Sequence, residues 1–233
     1  MEKRWVLREV DEGVVSLLSE RLEISPLVAR ILALRGLKEP DVARRFLSSS
    51  LRSDLPSPFL MAGMERAAER LVRALEEKEL ICVWGDYDVD GTTGTAALVS
   101  FLQEVGAEAI YYVPHRIDEG YGLNPEGLKR LKSQGVRLVV SVDCGISNYQ
   151  EVELAQNLGV DVVIVDHHEL PPDLPPAVAI LNPHRPDCSF PDKGLSGAGL
   201  AFYLIIGLRA KLRDAGGFGS SESPDIRRYL DVV

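Results

Sequence analysis

The feature that most constrains this chain's fold is a series of five short apolar runs from Leu80 onward, each bounded by turn residues and separated by helix-length stretches. The runs are Leu80 to Trp84, Ala109 to Val113, Leu138 to Val142, Val162 to Val165 and Val178 to Leu181. Helical spacing of apolar residues marks Thr93 to Val105, Pro125 to Gln134, Asn148 to Leu158 and Ala198 to Leu212. Strands that are apolar on both faces and alternate with helices form a parallel sheet covered on both sides. The expectation is therefore an α/β fold, a doubly wound and mainly parallel sheet flanked by helices, over residues 80–233.

Residues 1–79 have a different rhythm and read as a helical amino-terminal region. Ser25 and Pro26 are suited to open a helix, and Leu27, Val28, Ile31, Leu32 and Leu34 then fall on one broad face. Met64 to Lys78 is amphipathic, with Ala67, Ala68, Leu71, Val72 and Leu75 at helical spacing. With 233 residues, 45% of them hydrophobic, the chain can bury one substantial core or two modest ones, which excludes a disordered or fibrous class. Cys82, Cys144 and Cys188 form no C-x-x-C pair and are odd in number, so a disulfide framework and a zinc knuckle are both disfavoured. A reducing cytoplasm is the expected compartment. No signal-peptide core is present, and no apolar run nears the ~20 residues of a membrane span, so a soluble protein without a membrane partner is expected.

The net charge of −9 argues at first against a nucleic-acid partner. It lies wholly in residues 80–233, where Asp and Glu outnumber Lys and Arg by 21 to 12. The acids also fall at particular places. The first strand runs into Asp86-Tyr87-Asp88-Val89-Asp90-Gly91, the third into Asp143-Cys144-Gly145 and the fourth into Asp166-His167-His168. In a doubly wound sheet, ligands bind beyond the carboxyl ends of the strands, so three strands deliver carboxylate or imidazole groups to one edge. An EF-hand is excluded because Ala97 stands where a bidentate Glu is needed, and a P-loop because no Gly-Lys-Ser/Thr follows the glycines. Carboxylates mixed with imidazoles suit Mn2+, with Mg2+ as the alternative. Arg116, at the end of the second strand, is a candidate phosphate binder or a surface partner of Asp118 or Glu119. Gly194-Leu195-Ser196-Gly197-Ala198 falls short of a nucleophile elbow and reads as a helix-opening turn.

These three motifs, in this order, resemble those of the DHH phosphoesterases, and most closely the RecJ branch, the single-stranded-DNA-specific exonucleases. Tyr112-Val113-Pro114-His115-Arg116, Glu119-Gly120-Tyr121-Gly122-Leu123 and Leu195 to Phe202 are similar as well. The resemblance implies a two-metal phosphodiesterase, with Mn2+ or Mg2+, that degrades single-stranded DNA from 5′ to 3′ in recombination and repair. It implies metal ligation by Asp86, Asp88, Asp143 and His167, with Asp143 as the catalytic bridge and Asp90 as a further ligand or an orienting residue. Asp166 would orient His167, His168 would meet the scissile phosphate, and Arg116 and Tyr121 would hold substrate. A single-strand-binding protein or a helicase is the kind of protein partner implied.

Two departures from the family pattern stand out. Trp84 occupies a position where some members carry His and others an apolar residue. Tyr229 to Val233 resembles the start of a segment leading to a fourth motif, whose aspartate is not reached; Asp231 is not read as that ligand. The expectation is a DHH domain cut short before the fourth motif and a second domain, inactive or weakly active alone. The alternatives are a DHH hydrolase of oligonucleotides or small phosphate esters, and a DNA-binding or replication scaffold of the same fold without catalysis.

Overall fold

The computed structural model describes residues 6–48, 50–51, 54–217 and 223–233. The chain divides into two compact units, Met1–Leu55 and Pro56–Val233.

The first unit contains helices α1 (Glu12–Leu22), α2 (Pro26–Leu34) and α3 (Pro40–Leu47). Asp11 and Ser25 cap α1 and α2 by accepting from the Gly13 and Val28 amides, and Pro26 begins α2 as its sequence anticipates. Val15, Leu18, Ala29, Leu32, Ala33 and Ala43 form the core. The broad apolar face expected on α2 is split. Ala29 and Ala33 turn inward with Leu32, because small residues let the helices approach closely, while Leu27 and Ile31 are exposed.

The second unit is built on five parallel strands: β1 (Leu80–Gly85), β2 (Ala109–Tyr112), β3 (Val136–Val142), β4 (Asp161–Val165) and β5 (Ala179–Leu181). Their order is β2-β1-β3-β4-β5. Helices α4 (Met64–Glu76), α5 (Val89–Glu104) and α8 (Gly197–Asp214) pack together on one face, and α6 (Pro125–Ser133) and α7 (Tyr149–Asn157) on the other. The doubly wound parallel sheet is thus as expected. Side chains of the strands alternate between the layers. Cys82, Trp84, Val139 and Ile164 join Leu128, Leu131, Val152 and Ala155 in the core beneath α6 and α7.

The compact unit begins earlier than the change of rhythm at residue 80, because α4 packs on α8 and β5. Arg70, on α4, is 5% exposed and pairs with Glu79 (2.7 Å) and with Asp161 at the start of β4 (2.5 Å). Helix α5 begins at Val89, four residues ahead of the expected start, because the Asp88 carboxylate caps it by accepting from the Gly91 amide at 2.9 Å. Asp90 and Gly91 therefore lie in a first helical turn rather than in a loop. Ser196 likewise caps α8 by accepting from the Gly199 amide, so the Gly194 to Ala198 segment is the helix-opening turn that its sequence suggested. Among the described residues, no helix is long and apolar enough to cross a membrane.

Candidate metal centre

The chain leaves β1 on one side, makes β2, and returns to make β3 on the other side of β1, so the strand order reverses between β1 and β3. Crevices at such reversals are where open α/β sheets bind ligands. Asp86 and Asp88 follow β1, Asp143 follows β3, and Asp166, His167 and His168 follow β4. The backbone extends the ladder into these residues. The Asp143 amide donates to Val165 O (2.9 Å) and the Asp166 amide to Leu181 O (3.0 Å).

Two overlapping groups of donors result. Ligand atoms of Asp86, Asp88 and Asp143 lie within 4.8 Å of one another, as do those of Asp143, His167 and His168. Asp143 belongs to both. It is only 1% exposed, and its backbone adopts a left-handed φ of 62°, a conformation that costs a non-glycine residue ~1–3 kcal/mol and recurs at functional sites. Its Oδ1 lies 3.1 Å from His167 Nε2 yet, like the buried Oδ1 of Asp86, accepts no well-formed hydrogen bond. Buried carboxylate oxygens without donors are unusual in a folded protein. Burial, with the charges of Asp90 and Asp88 adding, pushes the Asp143 carboxyl up to about 8. Burial also raises Asp86, with Asp88 adding, against the Tyr87 amide and the charges of His168 and Arg116. A divalent cation relieves both conditions at once, so the residues present fit such an ion.

The other expected residues fall into distinct places. Asp166 is fully buried, and the hydrogen bonds that its carboxylate accepts come from Ile146 and His168. Its Oδ1 accepts from His168 Nδ1 (2.7 Å) and from the His168 amide (3.2 Å), and its Oδ2 from the Ile146 amide (3.0 Å). Because a carboxylate only accepts, His168 Nδ1 carries the hydrogen, and in the neutral ring Nε2 is the acceptor. Burial lowers the His168 pKa, but the Asp166 hydrogen bond and the charges of Asp166, Asp143 and Asp86 outweigh it, and the net shift is upward. His167 points Nε2 at Asp143 and lies 3.6 Å from Asp90 Oδ2. Asp90 spends its two oxygens on the amides of Gly197 (2.6 Å) and Ala198 (2.7 Å). Tyr121 donates its hydroxyl to Asp143 O at 3.0 Å and stands 3.4 Å from His168 Nδ1. The Arg116 guanidinium lies over the Tyr87 ring at 5.0 Å. Its alternative surface partners are engaged elsewhere: Asp118 pairs with His115 (2.8 Å), and Glu119 accepts from the Tyr112 hydroxyl and the His115 amide.

Sequence reasoning missed Asn182 and Asn148. Asn182, fully buried at the end of β5, donates to His168 O (2.9 Å) and so holds the histidine loop. Asn148 binds both backbone groups of Leu123 and ties the Tyr121 loop to α7. Position at a strand end was the available signal for Asn182. Trp84 is fully buried against Tyr112 on the α6 and α7 side, and its ring takes no part in the site. The three cysteines are free and buried, and burial pushes the Cys82 thiol up to about 12, so thiol nucleophilic chemistry is excluded there.

A doubly wound sheet with carboxylates and paired imidazoles at its reversal makes a candidate divalent-metal centre built on an Asp-His-His run. The chain belongs to the DHH family: residues 80–231 match the DHH family, N-terminal domain. It is 41% identical over 211 residues to the single-stranded-DNA-specific exonuclease RecJ of Bacillus subtilis, covering 91% of this chain and 27% of that protein. To the protein of the same name in Escherichia coli it is 42% identical over 230 residues, covering 97% of this chain and 38% of that protein. The chain thus spans about a quarter to two fifths of these relatives' lengths. A crystal structure of RecJ in complex with Mn2+ from Thermus thermophilus superposes with a TM-score of 0.72 at 29% identity, over 95% of this chain and 29% of that one.

Proposed function

We propose that this chain carries the metal centre of a Mn2+- or Mg2+-dependent exonuclease that hydrolyses phosphodiester bonds of single-stranded DNA from the 5′ end, in recombination and repair. The observation that carries the reading is the pair of buried, donorless oxygens on Asp86 and Asp143, converging with Asp88 and His167 at the strand reversal. The names of the relatives supply the substrate class. Asp86, Asp88, Asp143 and His167 are the residues that would hold the cations, with Asp90 as a further ligand or an orienting residue, and Asp143 belongs to both donor groups. When bound, such a pair of cations polarises the phosphodiester and makes water more acidic.

The protein's own groups then do the positioning. Asp166 fixes the His168 ring and favours its protonated form, in which Nε2 also carries a hydrogen and can donate it to a phosphate oxygen. Arg116, steadied by Tyr87, supplies a planar pair of donors for phosphate. The Tyr121 hydroxyl holds the Asp143 carbonyl and gives the substrate strand a partly exposed ring on which to rest. Single-stranded DNA is the proposed partner, with a single-strand-binding protein or helicase as associated proteins, in the cytoplasm. Incubation with 5′- or 3′-labelled single-stranded DNA and Mn2+ tests the reading. Slow, Mn2+-dependent release of mononucleotides from the 5′ end, absent with duplex DNA and in Asp143→Ala, is expected. Release that survives chelation or Asp143→Ala would refute it.

A further inference from the structure

The turn that carries Arg116 is closed more firmly than its exposed position requires. After β2 the chain turns over residues 115–119, and the tip is open to solvent, with Ile117 86% exposed. The Glu119 amide donates back to His115 O (2.8 Å), and the Glu119 carboxylate accepts from the His115 amide (2.7 Å). The two residues thus bond each other in both directions, with Arg116, Ile117 and Asp118 held in the ring between them.

The ring is also tied to the sheet. The Tyr112 hydroxyl, at the end of β2, donates to the other oxygen of Glu119. The Tyr112 ring packs on Trp84 with centroids 4.3 Å apart and lies under the Arg130 guanidinium at 4.7 Å, and Trp84 stands two residues before Asp86. The Tyr112 hydrogen bond, with that of the His115 amide adding, holds the Glu119 carboxyl below the usual carboxylate range, so an ionised acceptor serves both donors. Arg116 takes part in none of these bonds. Its guanidinium rests over the ring of Tyr87, the residue between Asp86 and Asp88, at 5.0 Å. A long side chain on a free loop loses backbone and rotamer freedom when it grips a phosphate. On a latched turn, much of that freedom is already lost before binding.

We propose that Glu119 is a positioning residue for substrate: its carboxylate latches the turn over residues 115–119 to β2 and so holds Arg116 ready for a phosphate of the single strand. The inference rests on the reading of Arg116 as a phosphate binder. A carboxylate beside a phosphate site repels the ligand through its charge, so the two effects of Glu119 on DNA binding have opposite signs. Glu119→Gln removes the charge and keeps the shape. It should strengthen binding if charge is all that Glu119 contributes, and weaken it if the latch dominates. The Gln side chain has one acceptor oxygen for two donors, so the latch opens on one side.

Fluorescence anisotropy of a 5′-phosphorylated, 3′-fluorescein-labelled oligothymidylate, titrated with the 233-residue chain in Ca2+ and checked for integrity after each reading, separates the two. Glu119→Gln and Tyr112→Phe should each raise Kd about 3- to 10-fold, the range for ordering one long side chain on binding. Asp118→Asn, in the same turn but outside the latch, should change Kd less than about 2-fold. Made on Arg116→Ala, Glu119→Gln should leave Kd unchanged or lower it, because a loosened turn then has no guanidinium to misplace. Tighter or unchanged binding by Glu119→Gln alone would overturn the proposal, as would an equal loss in the Arg116→Ala background. If the Glu119 variants do not fold, Tyr112→Phe decides: a raised Kd that depends on Arg116 supports the latch, and an unchanged Kd overturns it. A wild-type chain that does not bind the strand, or Arg116→Ala binding as tightly as wild type, would overturn the phosphate reading and the proposal with it, a failure distinguishable from that of the latch alone.

Discussion

Replacing Asp166 by Ala should loosen the loops after β3 and β4 together, and the size of the effect follows from the bonds that it breaks. The carboxylate is fully buried and accepts from the Ile146 amide, the His168 amide and His168 Nδ1. Ile146 is 2% exposed, so its stranded N–H costs ~1–3 kcal/mol, whereas the half-buried His168 donors recover water and cost about 0.5–1 kcal/mol each. Removing the charge also relieves some repulsion at Asp143, to whose raised pKa Asp166 contributes. A net loss of about 2–4 kcal/mol remains, which lowers the melting temperature of a domain of this size by about 4–16 °C. Asp166→Asn should lose only about 1–2 kcal/mol, because the amide oxygen still accepts from Ile146 while the NH2 group faces a ring that must change tautomer. Urea denaturation in the presence of a chelator measures both variants. A loss below about 1 kcal/mol for Ala, or Asn as costly as Ala, would refute the claim that this carboxylate ties the two loops.

Three further perturbations test the surrounding structure. Arg70→Met removes the buried partner of Glu79, whereas Asp161, 39% exposed, keeps Arg73, so it should cost about 1–3 kcal/mol in urea denaturation at neutral pH, with Glu79→Gln recovering part of it; a loss under about 0.5 kcal/mol contradicts this. Gly91→Ala drives a Cβ to 2.6 Å from both the Cβ and the backbone nitrogen of Asp86, so it should lower stability by about 1–3 kcal/mol and weaken Mn2+ binding in Mn2+ titrations. The third concerns pH. A folded Asp143 carboxyl near 8, against an ordinary 3.8, keeps a proton that the unfolded chain releases, so its contribution falls as pH rises from about 4 to about 8, by at most ~1.4 kcal/mol per unit. The raised Asp86 and His168 act in the same direction, and urea midpoints in a chelator that rise between pH 5 and pH 8 would contradict the burial argument.

The parallel sheet was legible because β1, β3 and β4 are apolar on both faces and end in acids or imidazoles, a pattern that a half-exposed strand would not show. The gathering of carboxylates and imidazoles at one edge of the sheet followed from those endings, since topology brings together the carboxyl ends of parallel strands, whereas the choice of ligands came from the family resemblance. What was not legible depends on contacts between distant segments. Asp90 reads like its neighbours until α8, more than a hundred residues later, presents its amides. Asp166 lies one residue from His167, but its buried oxygen meets the ring of His168, a choice of rotamer that spacing does not encode. Helix α4 looks like its helical predecessors in sequence, and its packing on α8 and β5, with Arg70 paired to Asp161, shows that it belongs with the sheet.

Asp143 is expected to join two donor groups into one divalent-cation centre. Anomalous diffraction from crystals of the chain grown with Mn2+ tests it most directly. The expected result is manganese density against the Asp143 carboxylate, flanked by Asp86 and Asp88 on one side and by His167 on the other, and absent in Asp143→Asn crystals. Manganese bound elsewhere on the chain, with none at Asp143, would contradict the account.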